Sequence, residues 1–242
     1  MQKMPEKRSK MGRLLLIPVM LGEGDPRRSI PEQSIEAAAD LRHFIVEDIR
    51  SARRFLRLID PAFPIDDSKF TVIDKHSKVN DTDSLISVAG KGYDTGLMSE
   101  AGMPGIADPG REYVAAAHRH GIQVVPLAGP SSLFLALAAS GLNGQSFSFR
   151  GYLPIKPGER AAALQELEKR SKKGESQIFM ETPYRNNKLI DDIIRCCNRD
   201  TLLCIAAALT LDNEYVETKT IGDWEKRKPD INKIPAIFII QA

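Results

Sequence analysis

Apolar and polar positions alternate between two periods along most of the chain. Leu14–Leu21 is an apolar run of strand length, and apolar residues then recur at helical spacing over Ile35–Leu41. His43–Glu47 is short and rich in β-favouring residues, and Ile49–Ile59 reads as a basic amphipathic helix. Phe70–Asp74 predicts a strand and Ser84–Ala89 a helix. Gly96–Ser99 predicts a strand opening into a Gly/Pro-rich loop. Glu112–His120 follows as a helix stopped at Gly121, then Ile122–Leu127 as a strand and Ser131–Ser140 as a helix closed by Gly141. Such alternation predicts an α/β fold, a mainly parallel sheet with helices packed on its faces.

The stretch 143–158 changes character. It is rich in glycine and proline and carries two isolated apolar patches, Phe147 with Phe149 and Tyr152 with Leu153, so composition places a domain boundary just before or within it. The alternation then resumes with helix Arg160–Lys172, strand Gln177–Met180, helix Tyr184–Cys197 and strand Leu202–Ala208. Glu214–Ile221 predicts an antiparallel partner, and Ala236–Gln241 a final strand.

The 242 residues suffice for one large α/β domain or two small ones, and 42% hydrophobic with 27% charged residues is a globular balance. Pro18 interrupts the longest apolar run, which falls far short of the roughly 20 residues of a membrane span. Met1–Lys10 is polar and basic rather than a signal peptide, so a cytoplasmic protein without membrane attachment is expected. Of three cysteines, Cys196 and Cys197 are adjacent, which suits reduced core residues and neither a disulfide framework nor a metal site. A net charge of +2 does not argue for nucleic acid. That case rests on the local cluster Arg50, Arg53, Arg54 and Arg57, which share a helical face through spacings of three and four.

Several familiar motifs fail. Gly105 and Gly110 stand at phosphate-loop spacing, but Arg111 and Glu112 replace the required Lys and Ser/Thr, and Asp108 would repel a phosphate. Gly22-Glu23-Gly24 follows a strand as a dinucleotide fingerprint would, yet Arg27 stands where the third glycine belongs. Gly129-Pro130-Ser131-Ser132-Leu133 lacks the closing glycine of a nucleophile elbow. The histidines His43, His76, His118 and His120 show no zinc spacing, and no metal is expected.

What survives is the loop Ser99–Gly110, whose small residues let a ligand approach its backbone while its prolines keep it rigid. On residue chemistry alone, a ligand site and a rigid connector fit it equally. The loop resembles the Asp-Ala-Gly-Thr-Pro-x-x-Ser-Asp-Pro-Gly signature of the tetrapyrrole-methylase superfamily. The branch it most resembles is the small-subunit ribosomal RNA (cytidine-2′-O)-methyltransferases. Val124–Ser132 is similar to that branch's Val-Val-Pro-Leu-Pro-Gly-Pro-Ser, and Phe149–Pro154 resembles its Gly-Phe-Leu-Pro. Glu47–Leu56 resembles Glu-Asp-Thr-Arg-x-x-Arg-Arg-Leu-Leu, Glu181–Arg185 is similar to Glu-Ser-Pro-His-Arg, and His76 falls where the branch often has histidine. The likeness runs from about Gly12 to Ala242. Departures are the stretch Gly22–Pro26, Glu100, Met103 and Ala208–Leu211.

The resemblance implies a two-domain tetrapyrrole-methylase-like fold with mixed or parallel sheets, an S-adenosylmethionine cleft between the domains, and a homodimer. The chain is accordingly read as a basic tail, 1–11, an N-terminal domain, 12–130, and a C-terminal domain, 131–242. The residues facing the cofactor would be Pro18, Met20, Ala101, Gly102, Met103, Ile106, Ser131, Ser132, Leu133, Met180, Ala208, Leu209, Pro235 and Ala236. A sulfonium methyl is already activated, so alignment supplies much of the rate, while a ribose hydroxyl profits from a base or a polarising charge. Glu47, Arg50 and Glu181 are the catalytic candidates, and Asp48 a further carboxylate, although Glu47 and Asp48 also suit a helix N-terminus. Arg50, Arg53 and Arg54 would contact RNA, and ribosomal RNA or the small subunit is the expected partner. A porphyrinoid methylase and a non-catalytic cofactor-binding relative are the alternatives.

Overall fold

The computed structural model describes residues 11–73 and 82–242; Met1–Lys10, Asp74 and His76 lie outside the described residues. The chain divides into two compact units, 1–130 and 131–242.

The first unit runs β1 (Leu14–Ile17), α1 (Glu32–Ala39), β2 (His43–Val46), α2 (Ile49–Ile59), β3 (Lys69–Val72), α3 (Asp83–Gly90), β4 (Thr95–Met98), α4 (Arg111–Arg119) and β5 (Val124–Pro126). Its sheet has the order β3-β2-β4-β1-β5, with every pairing parallel. From β1 the chain steps outward to β2 and β3, then returns to β4 and β5. Because such crossovers are right-handed, the two directions of travel place their helices on opposite faces. The core agrees. Leu15 and Ile17 pack with Ile35, Ala38, Phe55 and Leu56 of α1 and α2. Leu14 packs with Leu85, Tyr113 and Ala117 of α3 and α4. Covered on both faces, a strand has no reason to alternate, which is why Leu14–Ile17 reads as an unbroken apolar run.

β1 stops four residues before the apolar run does. Pro18 has no N–H for the ladder, and Val19 leaves the sheet to form an isolated antiparallel bridge with Gly102.

The second unit runs α5 (Ser132–Ser140), β6 (Phe147–Tyr152), α6 (Pro157–Ser171), β7 (Ser176–Met180), α7 (Asn186–Cys196), β8 (Leu202–Ala207), β9 (Tyr215–Thr220), α8 (Ile221–Lys226) and β10 (Ala236–Gln241). The order is β6-β7-β10-β8-β9. β6 and β7 are parallel and the other pairs antiparallel, so this sheet is mixed. Leu164, Leu189, Ile193 and Trp224 pack with Phe179, Leu203, Ile205 and Phe238 on one face. The buried indole of Trp224 donates to Leu203 O at 2.9 Å.

Three local expectations change. The stretch 143–158 is not a boundary; it lies inside the second unit and carries β6. That strand is at the sheet edge and its register breaks between Phe149 and Tyr152, so its apolar residues fall into separate patches. β9 ends at Thr220, whose Oγ1 accepts from the N–H of Asp223 at 3.2 Å and so caps a helix that the periodicity did not show. The helix expected from Tyr184 begins as a 3-10 turn, Pro183–Arg185, before α7. No helix among the described residues is long and apolar enough to cross a membrane.

Candidate active site

In an open parallel sheet, ligands bind beyond the carboxyl ends of the strands. In the first unit that rim is made of the loops after β1, β2, β4 and β5, and main chain ties them together. Val19 N–H donates to Gly102 O and Gly102 N–H to Val19 O, both at 2.9 Å. Gly102 holds φ +69, where a side chain would be strained, and a Cβ there would lie 3.2 Å from Leu21 and 3.7 Å from Pro130 O. Gly129 meets Pro18 so closely that a Cβ would fall 2.2 Å from that ring. Pro18, Met20, Ala101 and Gly102 are thus gathered at one rim, with Met103 and Ile106 further along the β4 loop. Ile106 is exposed.

Glu47, just past β2, accepts from the N–H of Glu100 at 3.2 Å, binding the β2 end to the β4 loop. Asp48 caps α2 by accepting from Ser51 N–H at 2.7 Å. Its carboxyl is held below the ordinary aspartate range, first by that backbone hydrogen bond and then by the Ser51 side chain. Arg50, Arg53, Arg54 and Arg57 line the exposed face of α2, opposite buried Ala52, Phe55, Leu56 and Ile59. Arg54 reaches Glu23 at 3.7 Å, and Arg53 lies over the Phe70 ring, 5.4 Å from its centroid. A cavity of about 550 Å3 opens between these parts, lined by 19–24, Ser51, Arg54, Phe55, Leu58, Glu100 and Ala101.

In the second unit, Ala207 pairs with Ala236 and Met180 with Ile237. Ala208 N–H donates to Pro235 O at 3.0 Å. Met180, Ala208, Leu209, Pro235 and Ala236 therefore meet at one end of the sheet. The far end of α5 is fixed at the opposite end of the sheet, where Asn143 N–H donates to Gln241 Oε1 at 2.9 Å. Among the described residues, positive φ outside glycine occurs at Ala107, Ala208, Thr210 and Lys233. All four lie in the loops that these strand ends carry, and strain of this kind collects where a ligand must be met.

Glu181 is placed differently from its sequence assignment as a catalytic candidate. Its side chain is fully buried, Oε1 accepts from Thr182 N–H and Arg185 Nη2, both at 2.7 Å, and Oε2 faces Arg160 Nη2 at 3.4 Å. Burial pushes its acid range up. The Arg185 and Thr182 hydrogen bonds with the charges of Arg185 and Arg160 outweigh that, and hold it below the usual carboxylate value. A carboxylate held ionised and enclosed is a poor proton acceptor, so the geometry gives Glu181 a positioning role. Its partner Arg160 carries no motif signal in the sequence; it is 1% exposed and also donates to Asp192 (3.0 Å), Pro154 O (2.9 Å) and Ile155 O (3.0 Å). Only the motif around Glu181 pointed there. Among the described residues no group of three His, Cys, Asp or Glu is placed to hold a metal ion.

The family model for tetrapyrrole (corrin/porphyrin) methylases matches residues 18–225. The chain belongs to the tetrapyrrole methylase family. It is 32% identical over 211 residues to the ribosomal RNA small subunit methyltransferase I of Vibrio cholerae, covering 87% of this chain and 69% of that one. The protein of the same name from Halalkalibacterium halodurans is 31% identical over 82% of this chain and 65% of its own length. That of Escherichia coli O157:H7 is 27% identical over 96% and 79%. The fold matches the methyltransferase CobJ, with TM-score 0.62, 16% identity and coverage of 95% and 94%. It also matches a uroporphyrin-III-C-methyltransferase from Thermus thermophilus, with TM-score 0.55, 18% identity and the same coverage. At such identity these two structures speak for the tetrapyrrole methylase fold alone.

Proposed function

We propose that this chain is an S-adenosylmethionine-dependent methyltransferase that methylates a ribose 2′-oxygen of small-subunit ribosomal RNA. The observation that carries the cofactor is the rim stapled at Val19 and Gly102. It offers main-chain groups, small residues and apolar side chains, which suit a ligand whose adenine needs a flat apolar slot and a few orienting polar groups. Pro18, Met20, Ala101, Gly102, Met103 and Ile106 would hold it from the first unit. Ser131, Ser132, Leu133, Met180, Ala208, Leu209, Pro235 and Ala236 are the further residues proposed to contact it. When bound, the cofactor supplies a methyl group on positively charged sulfur.

The protein's own residues then need to align the ribose and take its proton. Glu47, set at the end of β2, is the proposed base, and Arg50, in the first turn of α2, the cation that favours the developing oxyanion. Arg53 and Arg54 extend the basic face along the RNA backbone. The acceptor is supported by the relatives, which carry ribosomal RNA methyltransferase names. A homodimer in the cytoplasm is part of the same reading.

Calorimetry with S-adenosylmethionine tests the cofactor; absence of binding overturns both this reading and any other methylase reading. Mass spectrometry of small-subunit RNA from a deletion strain and its parent tests the acceptor, with loss of one ribose methyl expected. An unchanged methylation map overturns it.

A further inference from the structure

We propose that the turn 182–185 and the segment following β6 form an aromatic platform that stacks an unpaired base of the RNA acceptor, with Tyr184 as the stacking ring. The inference rests on the RNA reading above and names the subsite that would receive the base.

The three most exposed large apolar side chains among the described residues are Tyr184 (75%), Ile155 (63%) and Tyr152 (58%). All three stand at the carboxyl end of the parallel pair β6 and β7. Tyr152 is in register with Met180, and Tyr184 follows the same strand by four residues. One nitrogen joins their two segments: Arg160 Nη2 donates to Ile155 O at 3.0 Å and faces Glu181 Oε2 at 3.4 Å.

The pedestal beneath these exposed rings is rigid. Arg185 N–H donates to Thr182 O at 2.9 Å, and Lys233 N–H donates to Pro183 O at 3.0 Å. Glu181 clamps the turn from below through Thr182 and Arg185. Burying Arg160, Glu181 and Asp192 is a poor route to stability, since desolvation offsets much of the attraction. Such a network is better suited to fixing geometry, and what it fixes is the placement of three side chains that contribute little to the core. Lys233, held at φ +64, brings its Nζ 6.0 Å from the centre of the Tyr184 ring, and Lys188 is exposed in the first turn of α7.

A flat exposed ring beside a cation matches a nucleotide whose base stacks while its phosphate meets the charge. The position is also apt. Met180, in register with Tyr152, is one of the residues proposed to face the cofactor, so a base held here lies at the same strand end as that residue.

The test uses the full-length enzyme and unmethylated small subunits from the deletion strain. Tyr184→Ala should raise the KM for subunits roughly 5- to 150-fold, the range that loss of one stacked base spans. It should leave kcat within a few-fold and S-adenosylmethionine affinity unchanged by calorimetry. Tyr184→Phe should behave as wild type, because the ring face and not the hydroxyl does the work. A Tyr184→Ala enzyme with KM within twofold of wild type overturns the proposal. So does a Tyr184→Phe enzyme as impaired as Tyr184→Ala, or a shift of oligomeric state in sedimentation that accounts for the loss. A wild-type enzyme that transfers no methyl group to small subunits overturns the RNA reading itself, and this inference with it.

Discussion

The two units finish their strands in different materials. In the first, the rim is mostly main chain: Val19 and Gly102 exchange hydrogen bonds and Gly129 closes on Pro18, with the Glu47 carboxylate adding one side-chain tie to the N–H of Glu100. In the second, the end of β7 is built on charge, with Arg160, Glu181 and Asp192 buried and the partly exposed Arg185 closing on Glu181. A main-chain site tolerates side-chain change as long as the backbone path is kept. The departures from the family signature at Glu100 and Met103 sit on such a path: Glu100 contributes its N–H to Glu47, and Met103 its carbonyl to Ile106 N–H at 3.4 Å. A charge-built site is less tolerant, because each group depends on the identity of the others.

The largest effect should therefore come from the second unit. Arg160→Met leaves Glu181 and Asp192 buried without their shared counter-charge, and removing one member of such a network costs about 3–5 kcal/mol. Urea unfolding should register it. Glu181 keeps Arg185 and Asp192 keeps Arg195, so each carboxylate is left half-paired. Adding Glu181→Gln to Arg160→Met should recover part of the loss, because one half-paired buried charge is then gone. A double variant no more stable than Arg160→Met would show that the charge of Glu181 is irrelevant.

The same carboxylate sets an acid limit. Its folded-state pKa lies below the ordinary glutamate range, so the unfolded chain binds the proton more readily. Its contribution to stability is fully present above that ordinary range and is lost as pH falls through the lower folded value. Wild type should lose stability on acidification more steeply than Glu181→Gln, which lacks the proton site. Matching pH profiles for the two would remove Glu181 from the account of acid stability.

Breaking the main-chain rim should cost less stability and more binding. Gly102→Val forces a β-branched residue into the left-handed region and toward Leu21, a penalty of about 1–3 kcal/mol. Because the bridge to Val19 would shift with it, S-adenosylmethionine binding should fall at least tenfold by calorimetry. Unchanged binding in a folded Gly102→Val protein would detach the bridge from the site.

The sequence made the first rim more legible than the second, and the reason is physical. Strands covered on both faces, such as Leu14–Ile17, announce themselves as apolar runs, and a ligand-facing loop announces itself by small residues and proline, as 99–110 does. The bridge between Val19 and Gly102 spans residues far apart in the chain and uses no side chain, so no pattern marks it. Arg160, Glu181 and Asp192 are likewise separated in sequence. Each alone looks like an ordinary helix or loop charge, and the motif around Glu181 gave no sign of the buried ion pairs that enclose it. β6 was hidden because none of its residues is fully buried at the sheet edge, and α8 because six residues show little periodicity.

The smallest effect separates two uses of one carboxylate beside the first rim. Asp48 caps α2 through Ser51 N–H, much as the neutral Thr220 caps α8 through Asp223 N–H. If capping is its whole task, Asp48→Asn should keep both stability and methyl transfer, since Asn caps as well as Asp, while Asp48→Ala should lose about 1 kcal/mol. If the carboxylate instead serves as the base, Asp48→Asn should be as folded as wild type and yet lose methyl transfer. Denaturant unfolding and single-turnover transfer on this pair decide whether Glu47 or its neighbour is the carboxylate that matters. The hydrogen bond from Ser51, which holds the Asp48 carboxyl below its ordinary range, weighs toward Glu47.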